Sequence, residues 1–288
     1  MHDWLSLFRD TFRSWKRHKA PKKGAALAYY TAFSLAPLVV LLLAIVSIFY
    51  ERDAARAGLI AETGRFMGNQ GTEVIDGILK EGANNGKNWW SAAVGFVVVL
   101  FGASGVFSEL QDSLNEVWEI REREGSTFRN KLKDRLISFS MILGIGFLLL
   151  SSLILSSCIS AAGKFLPAFK GSEFMWQMGD TVVALAATTL LFAAIFKVLP
   201  DTRVVWSDVW KGALITSVLF TIGKVLLGFY LGRSAVGSSY GAAGSLIVVL
   251  AWVYYSAQIL FFGAEFTQVY ARRNGSHAPA DRARPQSI

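Results

Sequence analysis

Six long apolar runs constrain this chain more than any motif in it: roughly Ala26–Phe49, Trp90–Phe107, Leu136–Ser160, Thr181–Val198, Gly212–Tyr230 and Ala243–Phe266. A helix needs about 20 apolar residues to cross hydrocarbon about 30 Å thick, with a range of about 17–25. The runs are continuous and do not alternate, which excludes the period-two pattern of a membrane barrel. Of the 288 residues only 17% are charged, where a soluble domain carries about a quarter. The sequence therefore predicts an all-α, polytopic membrane protein with six transmembrane helices in one bundle.

Orientation follows from Lys and Arg, because these are retained on the cytoplasmic side. About two thirds of the 29 fall before span one, between spans two and three, between four and five, and after six. Both termini are thus expected in the cytoplasm, consistent with an even number of spans. The net charge of +8 is then mainly a topology signal, and a basic inner face attracts anionic lipid head groups. A nucleic-acid partner is not expected, because no single segment gathers the basic residues together with stacking aromatics. The first run is too long for a signal-peptide core and is read as a retained span.

Three regions follow. Residues 1–24 form a cytoplasmic basic amphipathic helix, with Trp4, Leu5, Phe8, Phe12 and Trp15 among Arg9, Arg13, Lys16 and Arg17. Such a helix lies in the lipid boundary or packs on the protein's own bundle. Residues 25–272 are the six-helix domain, including an outer-side loop at 51–89. That loop reads as two short helical segments separated by Gly68-Asn69-Gln70-Gly71, with Trp89 and Trp90 anchoring span two at the interface. Residues 273–288 form a disordered tail rich in proline, glycine and serine. Pro200 should stop the fourth span, with Ser207 capping the next helix and Asp208 favourable in its first turn.

Polar groups within the spans are the candidate functional residues, because a charge or amide in hydrocarbon marks a pathway or an internal pairing. Lys224 lies about 18 Å from the cytoplasmic start of span five and about 9 Å from its outer end. It either snorkels outward or faces a polar cavity suited to an anionic ligand. Hydroxyls at similar depth are Ser151 and Ser152 in span three and Thr188 and Thr189 in span four. Ser217, Thr221, Lys224 and Gly228 share one stripe of span five; Tyr255, Gln258 and Glu265 share one of span six. Span one offers Tyr30 and Ser34 beside Pro37, which can kink it.

Glu109, Asp112, Glu116 and Glu119 fall in one helical phase as span two leaves the hydrocarbon. This stripe reads mainly as a solvated extension, able to pair with Arg121, Arg123, Lys131 or Arg135. Glu109 is closest to hydrocarbon, at the same edge as Glu265. Gly95, Gly102 and Gly105 allow close helix contact.

No cofactor or metal is expected. His2, His18 and His277 all lie near the termini, and Cys158 is the only cysteine, so no His/Cys metal cluster can form. No phosphate-binding glycine loop and no GxSxG elbow occurs.

The stretches AALAYYTAFSLAPLVVLL (25–42), FGASGVFSELQDSLNEVW (101–118), Leu199-Pro200, WKGALITSVLFTIGKVLLGFY (210–230) and SSYGAAGSLIVVLAWVYYSAQILFFGAEF (238–266) resemble the YihY/BrkB family of bacterial inner-membrane proteins, historically labelled ribonuclease BN. The resemblance implies six spans, a multi-pass location in the bacterial inner membrane, and a link to envelope integrity and movement of lipid precursors. The nuclease label implies a metal-dependent phosphodiesterase, for which this chain lacks ligands.

The leading expectation is a lipid transporter or flippase acting on anionic phospholipid or glycolipid. Lys224, Thr221, Ser217, Tyr255, Gln258, Tyr30 and Ser34 would form its path, and Glu109 and Glu265 its gate or proton-coupling acids. The alternative is a non-catalytic scaffold that holds an envelope protein partner or a second copy of the chain, docking through the 51–89 loop. A membrane enzyme using paired acids ranks third.

Overall fold

The structure, a computed structural model, describes residues 2–47, 50–85, 105–120, 172–202, 204–233 and 242–274. Expectations for most of span two, all of span three, Ser151, Ser152, Cys158, Trp89, Trp90, Gly95, Gly102, the partners at 121–135 and the tail lie outside these residues. The described elements are helical throughout: α1 His2–Arg17, α2 Ala20–Val46, α3 Arg52–Asn85, α4 105–117, α5 Ser172–Val198, α6 Trp206–Arg233 and α7 Ala242–Asn274.

Among the described residues, three helices are long and apolar enough to cross a membrane: Thr181–Val198, Trp206–Tyr230 and Leu246–Arg273. They coincide with expected spans four, five and six, and the expected first span falls on α2. Helix α2 stays helical through position 37.

Two compact units are formed, one from Met1–His18, Leu114–Thr221 and Leu260–Ile288, the other from Lys19–Ser113 and Ile222–Ile259. In the first, α1 packs on the end of α7. Leu7, Thr11, Ser14 and His18 form its buried stripe, with Leu7 clustered against Phe266 and Val269. Phe8 stacks near Phe262 and Phe266. A second sector of α1 carries exposed Trp4, Leu5 and Phe12, and a third carries exposed Arg9, Arg13, Lys16 and Arg17. Packing on the bundle is thus one of three faces, and an apolar face remains outside it.

Also in the first unit, α6 and α7 approach through a reciprocal glycine–threonine seam. A Cβ on Gly212 would collide with Thr267, and one on Gly263 with Thr216. Each threonine hydroxyl is turned back onto its own helix, Thr216 donating to the Gly212 carbonyl and Thr267 to that of Gly263, both at 2.7 Å. Small residues let the backbones meet while no hydroxyl is left unpaired in the contact.

Helix α5 stops at Val198, ahead of Pro200, as the sequence indicates. The cap of α6 differs from expectation. The Val205 carbonyl accepts from the Asp208 and Val209 amides, so Val205 is the boundary residue and Ser207 already lies inside the helix. Asp208 keeps its place in the first turn.

In the second unit, α2 and α3 share a core of Val39, Leu43, Ala55, Ile75 and Leu79. A straight helix would hold Arg56 and Asp76 about 30 Å apart, yet their side chains are hydrogen-bonded. Helix α3 therefore doubles back between Gly64 and Thr72, whose side chain lies 3.0 Å from where a Gly64 Cβ would be. The two segments on either side of Gly68-Asn69-Gln70-Gly71 form a hairpin packed on α2. Lys80 adds a second cation on Asp76 at 2.6 Å.

Candidate functional sites

Two polar constellations stand out, one in each unit. In the second unit, polar side chains lie directly on glycine backbone at three places. A Cβ on Gly223 would collide with the Tyr255 hydroxyl, and one on Gly24 with the Gln258 amide; one on Gly105 would stand 3.0 Å from the Tyr30 ring. Gln258 is the anomaly. Both its amide nitrogen and its carbonyl oxygen are buried without a hydrogen-bond partner among the described residues, where such groups are nearly always satisfied. Lys224 sits next to Gly223 on α6 and is half-buried.

The other residues expected on the path are already engaged with backbone. Ser34 donates to the Thr31 carbonyl at 3.2 Å and Thr221 to that of Ser217 at 2.9 Å. Ser217, fully buried, reaches across to the Leu185 carbonyl of α5 at 3.1 Å. These three hydroxyls fasten helices. Of the seven expected path residues, Lys224, Tyr255, Gln258 and Tyr30 lie in the second unit with Ser34. Ser217 and Thr221 belong to the first.

The first unit holds Glu265, whose side chain is completely buried on α7. One carboxylate oxygen lies 2.5 Å from His18 Nδ1 at the end of α1. The other is buried with no partner among the described residues, as is the Gln268 amide nitrogen one turn further along. The sequence pointed to Glu265 but set His18 aside as terminal. The signal was present: His18 continues the spacing of Leu7, Thr11 and Ser14 along the stripe that α1 buries. Glu109, the other expected gate acid, is half-buried on α4 in the second unit.

Glu119 departs from its expected place. Helix α4 ends at Val117, and Glu119 has a left-handed backbone with φ of 53°. Its amide donates to the Glu116 carbonyl and the Ile120 amide to that of Asn115, each at 2.9 Å. That pair of bonds is the helix-ending motif in which glycine is the usual occupant. The side chain is thereby swung off the acidic stripe onto Arg17 of α1 at 3.3 Å and Arg272 of α7 at 2.7 Å. The hydrogen bond from Arg272, with the charges of Arg272, Arg17 and His18, holds its carboxyl below the usual range against the opposing effect of burial. Beside it, Arg273 binds Ser6 at 2.8 Å and Asp10 at 2.5 Å, and Lys211 donates to the Tyr270 hydroxyl at 2.5 Å.

Long apolar helices carrying a few buried polar groups define a multi-pass helical membrane protein. Within that class, the chain belongs to the family described as "Virulence factor BrkB", whose model matches residues 11–287. A "Putative ribonuclease-like protein YfkH" of Bacillus subtilis is 22% identical, covering 93% of this chain and 96% of its own. A "UPF0761 membrane protein" of Actinobacillus pleuropneumoniae is 28% identical over 88% of this chain and 90% of its own. A "UPF0761 membrane protein" of Pseudomonas paraeruginosa is 26% identical over 91% of this chain. The match spans only 62% of that Pseudomonas relative. No solved structure matches the chain.

Proposed function

We propose that the protein moves lipid, a phospholipid or glycolipid precursor, across the bacterial inner membrane. The observation that carries this reading is Gln258. A buried amide with neither end paired costs about 1–3 kcal/mol or more in a protein interior, and in hydrocarbon it has no water to turn to. Such a group is explained by a partner that comes and goes. A lipid head group, rich in ester and phosphate oxygens and often in hydroxyls, supplies both an acceptor and a donor. Tyr255 and Lys224 on the neighbouring turns of α7 and α6 would continue the path, and Tyr30 of α2 extends it. Glu265, buried beside His18 in the first unit, and Glu109 in the second are the candidate gate or proton-coupling acids.

The printed name of the Bacillus relative speaks of a ribonuclease. That activity is not proposed, because among the described residues no group of three His, Cys, Asp or Glu side chains could hold a metal ion.

A hydrated head-group path is tested by cysteine accessibility in membranes, with Cys158→Ser as background. Gln258→Cys, Tyr255→Cys and Tyr30→Cys are expected to react with a membrane-impermeant thiol reagent. Val225→Cys and Phe229→Cys, on the exposed apolar side of α6, are expected to stay protected. Equal protection of all five positions would remove the path.

A further inference from the structure

Arg17 and Arg272 come from opposite ends of the chain and converge on a single carboxylate. Each gives one guanidinium N–H to a different oxygen of Glu119, Arg17 to Oε1 and Arg272 to Oε2. Two guanidinium groups sharing a two-oxygen anion is the arrangement that also recognises phosphate. Among the described residues two cations face one anion here, so this pair of arginines still attracts negative charge with Glu119 in place.

Access is open. The side chains of Arg17, Glu119 and Arg272 are 58%, 42% and 49% exposed. Depth is also right for a head group. Arg272 lies seven residues beyond buried Glu265, about 10 Å further along α7, next to the last residue of the candidate span Leu246–Arg273. The exposed aromatic face of α1, which brings Arg17, suits the same boundary layer.

The backbone of Glu119 supplies the remaining argument. A non-glycine residue at φ 53° is strained, because its Cβ crowds the following carbonyl oxygen. Glycine would end α4 with the same two backbone bonds and no such cost. What glutamate adds at this position is a carboxylate held between two arginines.

We propose that Arg17 and Arg272 form a binding site for the phosphate of a lipid head group, and that Glu119 is its built-in competitor. An arriving phosphate replaces the Glu119 carboxylate on the two guanidinium groups, and the carboxylate turns to water. The site stands on its own geometry; only the choice of a lipid as the source of phosphate rests on the transport reading.

The test is calorimetric titration of the full-length protein in neutral detergent with short-chain phosphatidylglycerol. Glu119→Gln keeps the side chain's size and the local backbone while removing the competing charge. It is expected to bind at least about tenfold more tightly than wild type, the worth of one charge-assisted hydrogen bond. Adding Arg17→Ala and Arg272→Ala to that variant should abolish the gain. Asp76→Asn, the same charge change in the other unit, should leave affinity unchanged. No tightening in Glu119→Gln, tightening that survives loss of both arginines, or equal tightening by Asp76→Asn would overturn the site. Inorganic phosphate and glycerol phosphate form the second arm: binding as tight as the lipid's would overturn the lipid source. Because the titration requires no transport, lipid binding in a protein that moves no lipid would reject the transport reading and leave the site standing.

Discussion

At the scale of single residues, the polar groups sort by whether the backbone has already claimed them. Ser34, Ser217 and Thr221 looked like path residues because hydroxyls in apolar helices are conspicuous in a sequence. Their bonds to carbonyls show the more ordinary use, closing a side chain onto its own helix or tying one helix to the next. Gln258 and Glu265 carry the opposite pattern, with buried polar atoms that no described residue meets. Glu119 gives a pH prediction. Its carboxyl is held below the usual range, first by the Arg272 hydrogen bond, so the folded state favours the anion. The stabilisation is complete above the unfolded value of about 4.3 and is lost as pH falls through the lower folded value. The pair is largely solvated, so the effect is that of a surface pair, about 1 kcal/mol or less. Melting of wild type and Glu119→Gln in detergent should therefore differ near neutrality and converge in acid. A gap that stays constant with pH would contradict this assignment.

At the scale of elements, helix existence was legible and helix partnership was not. Spans four, five and six could be read from apolar length alone, because hydrocarbon thickness sets a length that few other structures need. The stop before Pro200 was legible for the same local reason. The α3 hairpin was half legible: the Gly68–Gly71 interruption showed in the sequence, but Arg56 meeting Asp76 did not, because a salt bridge across 20 residues leaves no periodic trace. Glycine contacts divide similarly. Gly105 was anticipated as a close contact and meets Tyr30, whereas Gly228, on an expected stripe, meets nothing within 4 Å. The Gly212/Thr267 and Gly263/Thr216 seam was missed, since the matching residues lie about 50 positions apart in antiparallel helices. It makes a sharp prediction. Gly263→Ala forces a methyl group into the Thr216 side chain, and overpacking of this kind costs about 1–3 kcal/mol. Because the Thr216 Cβ itself lies 2.8 Å from the added methyl, the double change Gly263→Ala with Thr216→Gly should recover part of the loss in thermal unfolding, and Thr216→Ala less of it. Wild-type stability in the single variant would mean that the helices are not in contact there.

At the scale of the whole molecule, a basic amphipathic helix, long apolar helices and scattered buried polar groups describe a membrane protein. Family membership and the three apolar helices fix the membrane setting. The predicted orientation with both termini cytoplasmic comes from the distribution of Lys and Arg. His18 marks the limit of what could be read from the sequence. Its pairing with Glu265 joins positions 247 residues apart, and only the docking of α1 brings them together. Lipid movement itself is most directly measured in proteoliposomes that contain this protein alone, with labelled phospholipid in the inner leaflet and an impermeant quencher outside. Quenching of the inner pool is expected in wild type, with a marked slowing in both Lys224→Ala and Gln258→Leu and protein insertion unchanged. Inner-leaflet label that stays protected in wild-type vesicles, with the protein shown to be folded and inserted, would contradict the transport reading.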